Sequence, residues 1–270
     1  AARSRRQAMA VTSFAALGLA TRNLTINGLR ETDGTPFPRD APVVLQWTPA
    51  GAAFEVELLN LDATTRWSSG RSASNATELV LPPAATATLA AASTYFLRVR
   101  GWAKNATAPG AWSARLPLDT APLAAQWAPA EWVGGGSQLR ADFTLPTAPV
   151  WARAYATGLG AFELHCNGAR VGDHLMDPGQ SVYDVRTLYV GFNMTSLLRG
   201  GENHIGALLG NSKYGYLDIY ANRSAAHDQS GDATRAFRLL LIGDSDSQLL
   251  ACEALCRFPE DLAVEVTINA

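Results

Sequence analysis

The stretch Phe162-Glu163-Leu164-His165-Cys166-Asn167-Gly168-Ala169-Arg170-Val171-Gly172 carries the clearest structural signal in the sequence. Its apolar residues at 162, 164 and 166 alternate with Glu163 and His165, which is the two-residue period of a half-buried β-strand. Asn167-Gly168 follows, and Asn-Gly favours a two-residue turn because both positions take positive φ. The stretch therefore predicts a β-hairpin that places Cys166 in the core and His165 on the opposite face.

Apolar–polar alternation predicts strands along the rest of the chain as well. They lie at 43–47, 54–59 and 95–100 in the first half, and at 139–145, 150–157, 187–190, 205–209 and 236–243 in the second. Clusters of Gly, Pro, Asn and Ser separate these runs about every dozen residues, which is typical of β-sandwiches. Asn193 is predicted to cap one helical turn at Met194–Leu198, which Gly200-Gly201 ends. Ala84–Ala92 is expected to be a loop or a short helix. The sequence therefore predicts an all-β chain.

The composition argues against two kinds of partner. Lys and Arg number 22 and Asp and Glu 24, so the formal charge is −2 and the pI is about 6.1. A chain so close to neutral has no overall field that would hold a polyanion, so no nucleic-acid partner is expected. The hydrophobic fraction of 47% suits a packed core. No apolar run reaches the roughly 18–20 residues of a membrane span, so none is expected.

Shifts in composition divide the chain into five segments. Residues 1–21 are a signal-like or disordered segment, 22–120 a first sandwich, 121–137 a linker, 138–251 a second sandwich and 252–270 a divergent tail. Trp127 and Trp132 lie at the junction, where large aromatic side chains commonly fill an interface between domains. The alternative for these two residues is an exposed platform on which a sugar stacks.

Two features of the sequence predict secretion. Basic residues at Arg3, Arg5 and Arg6 precede the mostly apolar stretch Ala8–Ala20, as in a secretory signal peptide; the alternative is an Ala-rich helix or a disordered tail. Asn-x-Ser/Thr glycosylation acceptors are more frequent than chance spacing would produce, and glycosylation requires the secretory route. They lie at Asn23, Asn75, Asn105, Asn193 and Asn222.

The cysteines and histidines show no pattern of a metal or nucleophilic site, so no metal and no cofactor are expected. The cysteines at 166, 252 and 256 lack the second Cys or His pair of a zinc site, and Cys252 and Cys256 form a disulfide or remain thiols. No metal-binding spacing and no Gly-x-Ser-x-Gly elbow accompany the four histidines. These are His165, His174, His204 and His227.

Asp173, Asp177 and Asp184 form the densest acidic group in the second sandwich. Glycoside hydrolysis usually needs two carboxyl groups roughly 5–9.5 Å apart. Aspartates at strand ends and before Pro-Gly are also ordinary turn residues. We therefore favour turn chemistry over a catalytic pair for this group.

From Tyr155 to Tyr216 the sequence resembles the N-terminal β-sandwich domain of bacterial-type α-L-rhamnosidases. The order and spacing of seven segments carry the resemblance: 156–164, Asn167-Gly168 with Val171-Gly172-Asp173, Leu175-Met176-Asp177-Pro178-Gly179, Leu188-Tyr189-Val190, the helical turn through Leu197-Leu198, Gly201-Glu202-Asn203 and Leu209-Gly210-Asn211. Upstream, Trp67-Ser68-Ser69-Gly70, the strand at 95–99 and Trp112-Ser113 resemble landmarks of the fibronectin-III-like domain that often precedes this sandwich. The resemblance implies two tandem β-sandwiches, the first fibronectin-III-like and the second jelly-roll or galactose-binding-like.

The resemblance also implies where catalysis would take place. In α-L-rhamnosidases the catalytic carboxyl groups lie in a downstream (α/α)6 barrel, and no long amphipathic helical repeats of this kind occur in the present sequence. We therefore expect no autonomous catalysis. Sugar recognition would use an aromatic face for stacking and planar polar side chains for hydroxyl groups. Candidate contacts for a rhamnose-containing glycan are Asp177, Tyr183, Arg186, Asn211, Tyr214 and Tyr216. The favoured alternative is that these tyrosines pack between domains with their hydroxyl groups hydrogen-bonded.

These observations leave two principal functions open. The first is a non-catalytic N-terminal part of a rhamnosidase-like enzyme, with an exposed apolar patch where the barrel would dock. The second is a free-standing secreted, lectin-like module with a concave, aromatic-lined rim. A truncated product without activity is a third reading.

Overall fold

The computed structural model describes residues 21–30, 32, 34–38, 41–48, 51–128, 130–134, 137–183, 185–210, 212, 236–243, 250–251, 256–257 and 265–266. The chain divides into two compact units. The first contains residues up to 31, 42–88 and 94–117, and the second contains 32–41, 89–93 and 118–270. No helix among the described residues has the length and apolarity to cross a membrane.

The described part of the chain is built almost wholly of strands. In chain order they are β1 (Arg22–Ile26), β2 (Pro36–Phe37), β3 (Val44–Thr48), β4 (Ala53–Leu59), β5 (Thr65–Ser68), β6 (Glu78–Val80), β7 (Thr94–Trp102), β8 (Leu116–Thr120), β9 (Val133–Gly134), β10 (Gln138–Leu145), β11 (Ala152–Leu159), β12 (Ala161–Cys166), β13 (Ala169–Arg170), β14 (Val190–Asn193), β15 (Gly201–Gly210), β16 (Ala236–Gly243), β17 (Leu250–Ala251), β18 (Cys256–Arg257) and β19 (Glu265–Val266). Two short helices, α1 (Pro83–Thr86) and α2 (Ala124–Trp127), complete the set. The all-β class is confirmed. A loop or a short helix was expected at Ala84–Ala92, and helix α1 overlaps the start of this stretch.

The first unit has two sheets. One has the order β1-β3-β6, and in the other β4 lies between β7 and β5, all antiparallel. Strands β4 and β7 bury every second side chain, including Val56, Leu58, Leu97 and Val99, as their alternation predicts. The Trp47 and Phe54 rings pack with their centroids 5.0 Å apart.

The second unit is a β-sandwich of two sheets. One sheet has the order β13-β12-β15-β10-β18, with β19 also paired to β10. The other has the order β14-β11-β16-β17, with β9 also paired to β16. A single apolar cluster contains buried side chains from both sheets, such as Leu164 and Ile205 from one and Ala154 and Leu239 from the other. The predicted β-sandwich architecture is therefore confirmed.

The hairpin predicted from the sequence is present. Strand β12 pairs with β13 across Asn167-Gly168, whose φ values are +50° and +82°, so this turn needs residues that tolerate the left-handed region. Cys166 is buried at 1% exposure, and burial raises the pKa of its thiol to about 11. The thiol is therefore a packing group, because only the thiolate is reactive.

The predicted turn after Asn193 is present, but the predicted strand before it begins later. Asn193 Oδ1 accepts from the Thr195 amide at 3.0 Å, and the Leu198 amide donates to Met194 O at 3.2 Å. The strand predicted at 187–190 is wrong in its bounds, because β14 starts at Val190. The Leu188 carbonyl accepts from Thr157 Oγ1 at 2.6 Å, a side-chain contact that replaces ladder pairing at that position.

The outer face of the β11 and β16 sheet is covered. Trp151, Tyr155 and Leu240 are buried there, and the Trp127 ring lies 5.5 Å from Tyr189. Trp127 therefore packs within the second unit, whereas Trp132 is 42% exposed. Burial also raises the pKa of the Tyr155 hydroxyl.

Candidate functional site

The candidate sugar-contact residues lie on the loop at 173–188, between β13 and β14, and beyond β15. Asp177 anchors this loop, because the Phe162 amide donates to Asp177 O at 2.7 Å and joins the loop to the start of β12. The Asp177 carboxylate lies 3.1 Å from His174 Nδ1, and its side chain is only 17% exposed. Asp177 therefore organises the loop and presents little free carboxylate surface.

Tyr183 and Arg186 lie on one turn of that loop. The Val185 and Arg186 amides both donate to Val182 O, at 2.8 and 3.0 Å, and Ser181 Oγ donates to Arg186 O at 2.7 Å. Tyr183 is half-buried and Arg186 is exposed. The structure thus brings these two candidates onto one short turn, with a ring and a guanidinium close together in the chain.

The end of β15 lies next to the same loop. Gln180 Nε2 donates to Ser212 Oγ at 3.4 Å, which places Ser212 beside the turn. Asn211, Tyr214 and Tyr216 lie outside the described residues, as does the acceptor Asn222. Their predicted role as carbohydrate contacts stays a prediction.

The described part of the loop offers little for acid–base catalysis. Asp173 is exposed, the Asp177 carboxylate is paired with His174, and Asp184 lies outside the described residues. Within the described ranges, no group of three or more His, Cys, Asp or Glu side chains could hold a metal ion. Asp177 therefore makes the contacts of a residue that organises a turn.

The loop exposes an unusual amount of apolar side chain. Leu175, Met176, Val182 and Val185 are 72%, 68%, 58% and 78% exposed, and Leu188 is 38% exposed. Large apolar side chains concentrated on one surface segment are typical of a site that another protein surface covers. The loop thus exposes five large apolar side chains.

Sequence reasoning missed a cleft on the outer face of β10, β12 and β15. It has a volume of about 530 Å³ and is lined in part by Arg140, His165 and His204. The alternation placed His165 on an outward face, but only the pairing register shows which residues of the other strands stand beside it. A single sequence carries no direct signal of that register.

The fold defines a class of protein: a chain built of β-sandwich units. Residues 147–251 match the sequence model of the family described as the α-L-rhamnosidase N-terminal domain. This match confirms the resemblance found in the sequence, which is to the N-terminal region of α-L-rhamnosidases.

Curated relatives agree with this match. An α-L-rhamnosidase of Formosa agariphila is 41% identical over 86 residues, which are 32% of this chain and 8% of that protein. An α-L-rhamnosidase of Streptomyces avermitilis is 39% identical over 94 residues, 32% of this chain and 9% of that protein. The matched stretch of the chain thus spans less than a tenth of the length of these relatives.

Solved structures share the fold over a longer stretch. The α-L-rhamnosidase from Dictyoglumus thermophilum superposes with a TM-score of 0.65 and 21% identity, over 87% of this chain and 29% of that chain. The native enzyme from Aspergillus terreus gives a TM-score of 0.64 and 22% identity, over 86% and 28%. At these identities the comparison shows a common fold.

Proposed function

We propose that this chain is the non-catalytic N-terminal portion of an α-L-rhamnosidase-like glycoside hydrolase. In this role it supports a catalytic barrel and contributes to the recognition of rhamnosides. The observation that carries the proposal is the match of residues 147–251 to the α-L-rhamnosidase N-terminal domain, with curated relatives near 40% identity in a small part of their length.

The exposed apolar side chains of the 173–188 loop support a docking role. Hydrophobic burial contributes roughly 25 cal/mol per Å², so covering such side chains would stabilise an interface with a second domain. The loop is fastened to the sandwich at Asp177 and, through Leu188 O, at Thr157. A loop that is attached to the sandwich at two points and exposes apolar side chains suits a surface that holds another domain in one position.

Rhamnoside recognition is assigned to the polar residues of the same loop. Tyr183 offers a ring for stacking and the exposed Arg186 offers donors for hydroxyl groups. Asn211, Tyr214 and Tyr216 would complete the site from beyond β15. The proximity of that region is supported by the contact between Gln180 and Ser212.

A fibronectin-III-like first unit and a secreted, glycosylated chain complete the proposal. The sheet order β1-β3-β6 opposite a β7-β4-β5 sheet is compatible with a fibronectin-III-like sandwich. Glycosylation needs exposed acceptors. Asn23, Asn75, Asn105 and Asn193 are all exposed, which supports these positions as acceptors.

The decisive experiment combines an activity assay with sequencing of the transcript beyond the codon for Ala270. The purified chain is expected to release no nitrophenol from 4-nitrophenyl α-L-rhamnopyranoside, while a longer protein that includes a helical barrel is expected to release it. Hydrolysis by the chain alone would overturn the non-catalytic role. A transcript without any helical barrel would overturn the role as an enzyme portion and would favour the lectin-like module.

A further inference from the structure

A second cleft, at one edge of the first unit, is lined by three arginines. It lies between the start of β1 and residues 113–116, which lead into β8 of the other sheet, and its volume is about 370 Å³. The arginines are Arg22, Arg30 and Arg115, and all three are exposed. The other described residues around the cleft are neutral, so none of them contributes a carboxylate.

Two of the arginines lie beside hydrogen-bonded backbone on one side of the cleft. Arg22 is the first residue of β1 and stands opposite Thr48 of β3. Arg30 directly follows a tight turn, in which the Ile26 and Leu29 amides each donate to the carbonyl of the other at 2.9 Å. The fold thus brings these two cations to the same edge of the sheet.

The third arginine reaches the cleft from the opposite sheet. The Ser113 amide donates to Val99 O at 2.8 Å and Ser113 Oγ accepts from the Val99 amide at 3.1 Å, so this segment is attached to β7. Arg115 Cζ lies 5.3 Å from the centre of the Phe96 ring. Stacking uses the flat face of a guanidinium and leaves the N–H groups at its edge able to donate.

The positive charges of this cleft are not neutralised by the part of the chain that the structure describes. The Arg22, Arg30 and Arg115 side chains form no ion pair and no hydrogen bond with described residues, whereas Arg98 of the same unit pairs with Glu57 at 2.6 Å. An arginine side chain stays protonated in proteins, so three like charges around one cleft repel each other. An anion that enters the cleft relieves this repulsion.

The number of donors favours a tetrahedral oxyanion over a carboxylate. A carboxylate has two oxygen atoms, and a single guanidinium can satisfy both in a bidentate pair. A sulfate or phosphate group has three or four oxygen atoms and accepts hydrogen bonds from several guanidinium groups at once. Three arginines around one cleft therefore match a sulfate or phosphate group best.

We propose that this cleft binds a sulfate or phosphate group, held among the guanidinium groups of Arg22, Arg30 and Arg115. The group is either a free ion or an ester on a small molecule, since a volume of about 370 Å³ lies within the range of small-molecule sites. The site belongs to the first unit and does not depend on the role proposed above for the chain.

The test is isothermal titration calorimetry of the full chain at about pH 7. The ligands are inorganic sulfate, inorganic phosphate, D-glucose 6-sulfate, D-glucose 6-phosphate and, as the carboxylate comparator, acetate. Sodium chloride keeps the ionic strength constant, because a change in screening alone would alter the heat of any charged titrant. At least one tetrahedral anion is expected to bind saturably with a Kd of about 1 mM or below, and acetate at least about tenfold more weakly.

The two kinds of ligand distinguish the source of the group. Tighter binding of a sugar ester than of its free ion would support the proposal and identify an esterified ligand. Equal or tighter binding of the free ion would support the proposal and identify the inorganic anion.

Variants assign the binding to the cleft. Arg22→Gln, Arg30→Gln and Arg115→Gln each remove one charge, and each is expected to weaken binding about tenfold, which equals about 1.4 kcal/mol. Arg71→Gln is the matched control, because Arg71 is exposed in the same unit and stacks 5.2 Å from the Trp102 ring centre but does not line the cleft. It should bind like the parent. Thermal unfolding of each variant checks that the fold is intact.

Three results would overturn the proposal. They are no saturable binding of any of the four tetrahedral anions, binding of acetate as tight as theirs, or a response that the three cleft variants leave unchanged or that Arg71→Gln weakens equally. None of these results bears on the role as a rhamnosidase portion, which the assay with the nitrophenyl rhamnoside tests. The two proposals can therefore fail separately.

Discussion

Asp142 shows how a few side chains on an open sheet face can form one electrostatic unit. Burial alone would raise the pKa of the Asp142 carboxyl. The hydrogen bonds and charges of Arg140 and His204 together outweigh this effect, so the pKa of Asp142 lies below its ordinary value. His204 Nδ1 lies 2.7 Å from Asp142 Oδ1 and 2.9 Å from Arg140 Nη2. With its proton this nitrogen donates to Asp142, and without it the nitrogen accepts from Arg140.

This pKa shift predicts how the stability contributed by Asp142 depends on pH. A carboxyl whose folded pKa is lowered stabilises the fold above its unfolded pKa of about 3.9, and the contribution is lost as pH falls through the folded pKa. Asp142→Asn should therefore lower the free energy of unfolding at about pH 5, by less than about 1 kcal/mol because the group is partly exposed. The difference should shrink toward about pH 2.5 in urea unfolding.

The matched control for this prediction is Asp173→Asn, at an exposed carboxylate that makes no hydrogen bond with other described residues. It should shift the urea midpoint little at either pH. A destabilisation by Asp142→Asn that grows as the pH falls would contradict the sign of the shift.

The sequence pattern predicted strand β11 but not the partner of its buried arginine. Its existence was predicted, and all its residues but Leu159 are buried. Its central position between β14 and β16, covered on both faces, explains why a strict alternation is absent. The alternation of apolar and polar residues does not indicate which carboxylate pairs with Arg153, whose side chain is buried at 3% exposure. The partner, Asp119, lies 34 positions earlier in the chain, so sequence proximity could not reveal it.

The ion pair of Arg153 and Asp119 joins three pieces of chain within the second unit. Arg153 Nε lies 3.0 Å from Asp119 Oδ2, which also accepts from the Gly34 amide at 2.8 Å. Arg153 Nη1 donates to Asn193 Oδ1 at 2.7 Å. Segment 32–41, strand β8 and the sandwich are thus connected through one buried carboxylate and one guanidinium.

Removal of one member of this pair should be more damaging than removal of both. Arg153→Met leaves the Asp119 carboxylate buried without its cation and should lower the free energy of unfolding by about 3–5 kcal/mol. Arg153→Met combined with Asp119→Asn removes both charges and should recover part of that loss. Denaturant unfolding of the single and double variants measures the difference.

A more exposed ion pair supplies the comparison for this prediction. Arg98 and Glu57 lie 2.6 Å apart with side chains 28% and 14% exposed, and Glu57→Gln should cost about 1 kcal/mol or less. A double variant at 153 and 119 that is as unstable as the sum of its single variants would contradict the role of charge pairing.

At the scale of the whole molecule, local patterns predicted the elements better than their assembly. The hairpin at Asn167-Gly168 and the strand at 236–243 were predicted because short-range alternation and turn chemistry determine them. The assignment of segments 32–41 and 89–93 to the second unit depends on long-range contacts that leave no local signature. The sugar-contact residues on the 173–188 loop were chosen because aromatic and planar polar side chains suit a sugar. The cleft was missed because the strand register was unknown.

The apolar loop makes the last prediction, because in the isolated chain its side chains are not covered. Val182→Ser combined with Val185→Ser should lower the binding of an apolar dye such as anilinonaphthalene sulfonate by about half, since exposed apolar area attracts such probes. The melting temperature should stay within about 2 °C, because exposed side chains contribute little to stability. Val80→Ser, at a side chain 50% exposed in the first unit, is the matched control and should change dye binding little.

The same loop variant distinguishes docking from a surface without function. In a longer protein that includes the helical barrel, Val182→Ser with Val185→Ser should weaken the joint unfolding of barrel and sandwich and lower the melting temperature, because the apolar contact to the barrel is lost. Val80→Ser should have no such effect. An unchanged melting temperature in the longer protein, together with unchanged dye binding in the isolated chain, would show that the exposed valines of this loop take no part in docking.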